Sequence, residues 1–271
     1  MVGASWFDVV VLAAVQGLTE FLPISSSGHL VLAESILHVN EPGVALEIVL
    51  HLGTLLAVVL YYRADLWSLL VNGLAFLAGK RGPEARHAAF MILWLVLGTL
   101  PAAIAGVVFG DRIEAAFEDP RFVCGALIVT GLLLLSTLIR RAGNAPLSAG
   151  RAFLVGVWQT LALLPGISRS GSTISGGMHL GIRPEEAARF SFLLSIPVIL
   201  GAAALKAREL ESAFSDGKAG LYLLGLAVAF ILGYVSIGVL LRLVRRGRFG
   251  FFGVYCLAVG IGGLVWFGLH R

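Results

Sequence analysis

Six stretches of the chain stay apolar for about the length that crosses a bilayer: residues 44–62, 88–110, 122–139, 187–205, 219–241 and 249–269. About 20 helical residues are needed to span the roughly 30 Å hydrocarbon core. Four of the six carry no charge; 44–62 contains Glu47 and His51, and 187–205 contains Arg189 near its start. Two further regions, 7–36 and 151–181, each consist of two short apolar pieces around a tip of Pro, Ser and Gly. The pieces are too short to cross twice. Non-helical backbone at membrane depth is tolerated only where it is buried in protein or lines a wet cavity. Each region is therefore read as a re-entrant helix–loop–helix, and a polar cavity is implied. The predicted fold class is an all-α polytopic membrane protein, with about six transmembrane helices and two re-entrant segments in a single membrane domain, 1–271.

Composition agrees with this pattern. The chain is 58% hydrophobic and 13% charged, where soluble domains average about 25% charged. The N-terminus has no basic region, and its apolar run leads into Gln16 and Glu20 rather than a cleavage site, so it does not read as a signal peptide. Cys124 and Cys256 lie inside apolar runs and read as small buried residues. The net charge of +4 is distributed as an orientation signal rather than a nucleic-acid patch. Loops 63–86, 140–151, 183–189 and 242–248 hold thirteen Lys and Arg, against six in the loops and terminus of the other side. The first group is expected in the cytoplasm. That assignment requires both tip regions to return to the side they entered from.

The two tip regions resemble each other. Gln16 pairs with Gln159, Leu22-Pro23 with Leu164-Pro165, and residues 24–28 with 167–171; the likeness resumes at Pro42 and Pro184. Three crossings separate the units, so the repeat, approximately 7–62 and 151–205, is read as inverted, with 88–110, 122–139, 219–241 and 249–269 as further spans. Inverted repeats tend to bring such tips together near the midplane, where sites form.

The repeats differ where chemistry is expected. The first carries Glu20 where the second is apolar, and the second carries Arg169 where the first has Ser26. A charge at mid-bilayer costs roughly 2.5–3.5 kcal/mol on insertion scales, which makes both residues functional candidates. Gln16 and Glu20 are four apart and share a helix face. The run Ser25-Ser26-Ser27 after Pro23 looks like a helix start, whose free N–H groups attract phosphate. His29 falls on the same side as Ser26. The second tip offers Ser168, Arg169, Ser170 and Thr173, and Arg is well shaped to hold phosphate oxygens in pairs. Such a set suits a diphosphate. A carboxylate beside it calls for a bridging divalent cation, and Mg²⁺ is commonly held by one or two carboxylates plus substrate phosphates. Glu47 and His51, four apart, either line the cavity or pair with each other. Pro101 and Pro197 are expected to kink their helices.

The strings Gln-Gly-Leu-Thr-Glu-Phe-Leu-Pro-Ile-Ser-Ser-Ser-Gly-His at 16–29 and Leu-Pro-Gly-Ile-Ser-Arg-Ser-Gly-Ser-Thr at 164–173 resemble the two motifs of the bacterial undecaprenyl-diphosphate phosphatase family, linked to bacitracin resistance. The resemblance runs over essentially the whole chain, including Ala-Ala-Arg-Phe-Ser-Phe at 187–192. The family's first motif begins with Glu or Gln; Gln16 leaves one carboxylate fewer for metal. The resemblance implies an enzyme of cell-wall lipid recycling. It would hydrolyse undecaprenyl diphosphate to undecaprenyl phosphate, use Mg²⁺ or Ca²⁺, sit in the bacterial cytoplasmic membrane and open to its outer face.

On this reading Ser26 attacks phosphorus, and Glu20 is its base or bridges the metal with Gln16. Arg169, Ser168, Ser170, Thr173, Ser25, Ser27 and the helix ends hold the phosphate oxygens, and His29 handles the leaving-group proton. Direct attack by water is the rival. A second lipid-phosphatase superfamily with a His nucleophile fits poorly, since its Lys-x₆-Arg-Pro motif is absent and Ser175 stands where its His would be. A transporter of the polyprenyl phosphate, alone or as a second role, is the alternative of a different class. A homodimer is left open. The orientation has a direct check: in right-side-out vesicles, a cysteine placed at Arg81 should resist an impermeant maleimide until the vesicles are opened, whereas one at Lys218 should react at once.

Overall fold

The computed structural model describes residues 5–37, 44–139, 143–206 and 218–269. Pro42 and most of the 206–218 loop used in the sequence argument lie outside them. The described residues form eleven α-helices and two short 3-10 turns, with no strand among them. The helices are α1 Trp6–Thr19, α2 Ser26–Leu37, α3 Val44–Tyr61, α4 Arg63–Leu77, α5 Pro83–Phe117, α6 Pro120–Ser136, α7 Ala149–Leu161, α8 Arg169–His179, α9 Pro184–Leu205, α10 Ala219–Arg245 and α11 Phe252–Leu269.

Local chemistry starts these helices where the sequence allows. Ser5 and Asp8 form a reciprocal capping box at α1. The side chains of Asp119 and Ser148 cap α6 and α7. Proline opens α5, α6 and α9, where its missing N–H costs nothing.

Five helical stretches are long and apolar enough to cross a membrane, and α3 with α4 forms a sixth candidate bent by 74°. The chain is thus an all-α, multi-pass membrane protein. Its outer surface is apolar: Val107 on α5 is 79% exposed and Trp67 on α4 is 68% exposed. Exposed apolar area on this scale belongs against lipid. The helices flanking the two tips have 14 and 12 residues, then 13 and 11, each too short to span alone.

Two expectations are corrected. Residues 63–86, read as a loop, contain the 15-residue helix α4. Arg63, Asp65 and Asn72 interrupt its apolar run, but Trp67, Leu70, Val71 and Leu74 keep helical spacing and face outward. Asp65, half-buried, pairs with Arg189 of α9 at 2.5 Å. In α5 the non-helical dihedrals fall at Phe109 (φ −116°, ψ 16°), between Gly106 and Gly110, rather than at Pro101. The helix α9 runs unbroken through Pro197.

Packing relies on small residues, as expected where water supplies no hydrophobic drive between helices. A Cβ on Gly131 of α6 would meet the Gly253 carbonyl of α11 at 2.8 Å. A Cβ on Gly156 of α7 would strike Gly98 of α5, and one on Gly17 of α1 would meet the Ala229 carbonyl of α10 at 2.8 Å. Each tip's leading helix is thereby pressed against a long helix. Gly166, in the second tip, has φ +92° and no room for a side chain beside the Val123 carbonyl. Gly166→Ala should combine backbone strain with this clash. We expect a loss of about 2 kcal/mol or more, read as a lower thermal midpoint of the detergent-solubilised protein.

Candidate functional site

The two tips meet. A Cβ on Gly28 would touch the Gly166 Cα at 2.9 Å, so the first turn of α2 lies against the second tip's bend. The Ser170 hydroxyl donates to the Leu22 carbonyl at 3.1 Å, tying one tip to the other. Both tips also use the same local device. The Ser25 hydroxyl accepts from the Gly28 N–H at 3.3 Å, and the Ser168 hydroxyl accepts from the Gly171 N–H at 3.0 Å. Ser25 and Ser27 face each other at 3.3 Å, as do Ser168 and Ser170. Each pair closes the first turn of its short helix, leaving the side chain between them, Ser26 or Arg169, free to project.

Ser25 sits at φ +69°, a conformation that non-glycine residues adopt at a cost of order 1–3 kcal/mol. That bend turns the chain sharply ahead of Ser26. The second tip is fixed from α6. Thr130 donates to the Gly166 carbonyl at 2.8 Å and accepts from the Ser168 N–H at 3.1 Å.

At the junction, Glu20 has both carboxylate oxygens engaged. Oε1 accepts from Arg169 Nη2 at 2.6 Å. Oε2 accepts from the Ser26 hydroxyl at 2.6 Å and from Gln16 Nε2 at 3.1 Å. The pair is well shielded, with side chains 7% and 13% exposed. Short charge-assisted bonds of this kind are about twice as strong as neutral ones. Arg169 also donates to the Ser191 carbonyl of α9 at 3.3 Å.

Glu20, Ser26 and Arg169 open onto a cavity of about 310 Å³, with Ser25, Ser27 and Ser168 beside them. From α3 it receives Glu47 and His51; Val198, Ile199 and Ala202 of α9 line it with apolar surface. The cavity therefore combines charged groups, Lys206 at the end of α9 included, with apolar surface.

The remaining sequence-predicted residues lie elsewhere. Gln16 is fully buried behind Glu20, and its Oε1 has no hydrogen-bond partner. Ser170 and Thr173 are buried away from the cavity wall. Thr173 bonds the Arg169 carbonyl at 2.8 Å and the Ser191 hydroxyl at 2.6 Å, so it steadies the helix that carries the arginine. His29 turns to α11. Its Nδ1 donates to the Ser25 carbonyl at 2.8 Å, and its Nε2 accepts from the Tyr255 hydroxyl at 2.9 Å. The two rings stack at 5.6 Å. His29 is not among the residues lining the cavity.

His51, whose role the sequence left open, is brought to the site. Its Nε2 lies 3.7 Å from Glu20 Oε2. The signal was a histidine one turn from an acid inside an apolar span. Thr130 could not have been singled out, because nothing in its own sequence neighbourhood distinguishes it from an ordinary buried hydroxyl; Ser191 lies in the Ala-Ala-Arg-Phe-Ser-Phe run at 187–192, but that run gives no hint of its bond to Thr173.

A hydroxyl, a carboxylate and a guanidinium are thus gathered between two pairs of short helices in a multi-pass membrane protein, at the wall of a cavity. The chain belongs to the bacitracin resistance protein BacA family, whose pattern matches residues 9–262. It is 43% identical over 273 residues to an undecaprenyl-diphosphatase of Desulfosudis oleivorans, covering 96% of this chain and 98% of that one. It is 41% identical over 263 residues to undecaprenyl-diphosphatase 1 of Shouchella clausii, covering 95% of each. It is also 41% identical over 263 residues to an undecaprenyl-diphosphatase of Salinibacter ruber, covering 94% of this chain and 97% of that one.

Thr130 tests the scaffold separately from the charged residues. Thr130→Val keeps the shape but leaves a buried N–H and a carbonyl without their partner. It should cost about 1–3 kcal/mol in unfolding free energy, measurable by chemical denaturation in detergent.

Proposed function

We propose that this protein hydrolyses undecaprenyl diphosphate to undecaprenyl phosphate and inorganic phosphate, returning the lipid carrier to cell-wall synthesis. The observation that carries the reading is the continuous contact from Ser26 through Glu20 to Arg169, made across the two tips at 2.6 Å on each side. A serine hydroxyl is a weak nucleophile without an adjacent base, and Glu20 supplies one. Glu20 takes the Ser26 proton as Oγ bonds to the terminal phosphorus. The bond from that phosphorus to the bridging oxygen breaks, and the lipid monophosphate departs. Water then hydrolyses the phosphoserine. Arg169 and the N-terminal turns of α2 and α8 hold the non-bridging oxygens, which is most of what phosphoryl transfer requires of a protein. The apolar wall from α9 accommodates the start of the isoprenoid chain.

The reading includes a divalent cation, Mg²⁺ or Ca²⁺. The Glu20 carboxylate at the cavity wall supports this, and the buried Gln16 Oε1, which has no hydrogen-bond partner, lies on the side chain that donates to it. Among the described residues no three His, Cys, Asp or Glu side chains gather as a metal site, so substrate phosphates would complete the shell. When bound, the ion offsets the repulsion between Glu20 and the diphosphate.

The same reading places the chain in the bacterial cytoplasmic membrane, with α1–α2 entering from the outer face and α7–α8 from the cytoplasm as inverted re-entrant units. The excess of Lys and Arg in segments 63–86 and 242–248 supports it.

The test is phosphate release from a long-chain polyprenyl diphosphate by the purified protein in detergent. Wild type with Mg²⁺ should be active, and EDTA should stop it. Glu20→Ala, Arg169→Ala and Ser26→Ala should each fall by about 10³-fold or more, since single groups of this kind are worth roughly 10²–10³ and those acting as a unit more. Substantial turnover by Ser26→Ala would mean that water attacks directly. No release by folded wild type would overturn the reading.

A further inference from the structure

A second cavity, of about 800 Å³, lies on the reverse of the first tip. Glu20, Ser25 and Ser26 line the cavity described above, whereas Thr19, Leu22 and Ile24, interleaved with them in the chain, line this one. Its other wall comes from the end of α10 and the start of α11, with Leu243, Phe251, Phe252, Tyr255 and, between the helices, Arg248. Leu18, Phe251 and Tyr255 are exposed, so the cavity opens onto the lipid-facing surface. The lining is apolar apart from Thr19, Tyr255 and Arg248. Two of these three have already spent their protons. Thr19 donates to the Val15 carbonyl at 2.6 Å, and Tyr255 donates to His29 Nε2 at 2.9 Å. Arg248 differs: among the described residues its guanidinium has no hydrogen bond or ion pair. An oily cavity with one unspent guanidinium fits an amphiphile that carries a single negative charge.

We propose that this cavity binds an anionic phospholipid, its phosphodiester on Arg248 and an acyl chain along Leu18, Leu22, Leu243 and Phe252. A phosphodiester carries one charge and offers two non-bridging oxygens, which a single guanidinium can grip as a pair. A phosphate monoester carries about −1.5 to −2 at pH 7, and one arginine would leave part of that charge unmatched, so a polyprenyl phosphate suits the cavity less well. Arg242, Arg245 and Arg246, exposed just ahead of Arg248, add a general attraction for an anionic surface. Basic pockets between spanning helices are places where anionic lipid head groups bind. The leaflet, the cytoplasmic one, follows from the orientation proposed above; the class of ligand does not depend on it. The lipid braces the tip from behind. It packs on Leu22 and Ile24, and beside Tyr255, which stacks on His29. His29 in turn donates to the Ser25 carbonyl at the left-handed bend ahead of Ser26.

The probes are phosphatidylglycerol, which is anionic, and phosphatidylcholine, which is zwitterionic, with matched acyl chains. Each is titrated into delipidated full-length protein in a neutral detergent, and bound lipid is counted by native mass spectrometry. Wild type should hold one phosphatidylglycerol at least tenfold more tightly than phosphatidylcholine. Arg248→Ala should lose that preference. Arg246→Ala, at an exposed arginine that does not line the cavity, should keep it. Leu18→Trp, which fills the cavity from its open side, should weaken retention of both lipids, and the thermal midpoint of each variant shows that it is folded. Equal retention of the two lipids by wild type, a preference that survives Arg248→Ala, or a loss as large in Arg246→Ala would each overturn the assignment. Displacement of phosphatidylglycerol by a lower concentration of polyprenyl phosphate would overturn it too, and would give the cavity to a phosphate monoester. Phosphate release does not enter the readout, so the lipid site and the proposed hydrolysis stand or fall separately.

Discussion

The ion pair between Glu20 and Arg169 dictates how the centre of this molecule must be assembled. Neither residue is tolerable alone inside an apolar helical protein. An unpaired charge at that depth costs several kcal/mol, and breaking a buried pair by removing one partner costs about 3–5 kcal/mol. The two residues sit 149 positions apart on different tips. Their pairing is possible only if the tips touch, and much of the packing serves that contact. Gly28 lies on Gly166, Ser170 reaches Leu22, and Thr130 holds the second tip from behind.

The surrounding helices supply support without hydrophobic drive. Lipid is as apolar as leucine, so close approach of small residues and interhelical hydrogen bonds must hold the bundle. The contacts of Gly17 with α10 and of Gly156 with α5 press the leading helix of each tip against a long neighbour. Ser236 of α10 adds a hydroxyl bond to the Gly17 carbonyl at 3.0 Å. The chain places its polar groups inward and many of its leucines outward, the reverse of a soluble core. Its buried polar residues, among them Gln16, Ser168, Thr173 and Ser191, cluster around the tips.

Serines and threonines divide into two jobs that a motif cannot separate. Ser26 faces the cavity with its hydroxyl on Glu20, while Ser170 and Thr173 spend theirs on backbone and neighbouring side chains. A hydroxyl at the first turn of a short helix caps, ties or reacts according to what stands opposite it. The same holds for histidine. His29, inside the most recognisable string of the sequence, is turned to Tyr255, whereas His51, in an otherwise apolar span, stands beside Glu20.

Features that depend on local chemistry were legible along the chain. Apolar length marked the spanning helices, proline and serine marked helix starts, and charges standing inside apolar surroundings announced Glu20 and Arg169. Matching strings around Pro23 and Pro165 made two similar tips recognisable. The helix 63–77 was hidden because Arg63, Asp65 and Asn72 break its apolar run, so its charges resembled those of a loop; Asp65 in fact pairs with Arg189 of α9. Which hydroxyl meets which charge was decided by tertiary structure alone. Those partners come from other helices, α3 for His51, α6 for Thr130 and α9 for Ser191, and such distances are set by how whole helices pack rather than by spacing along the chain.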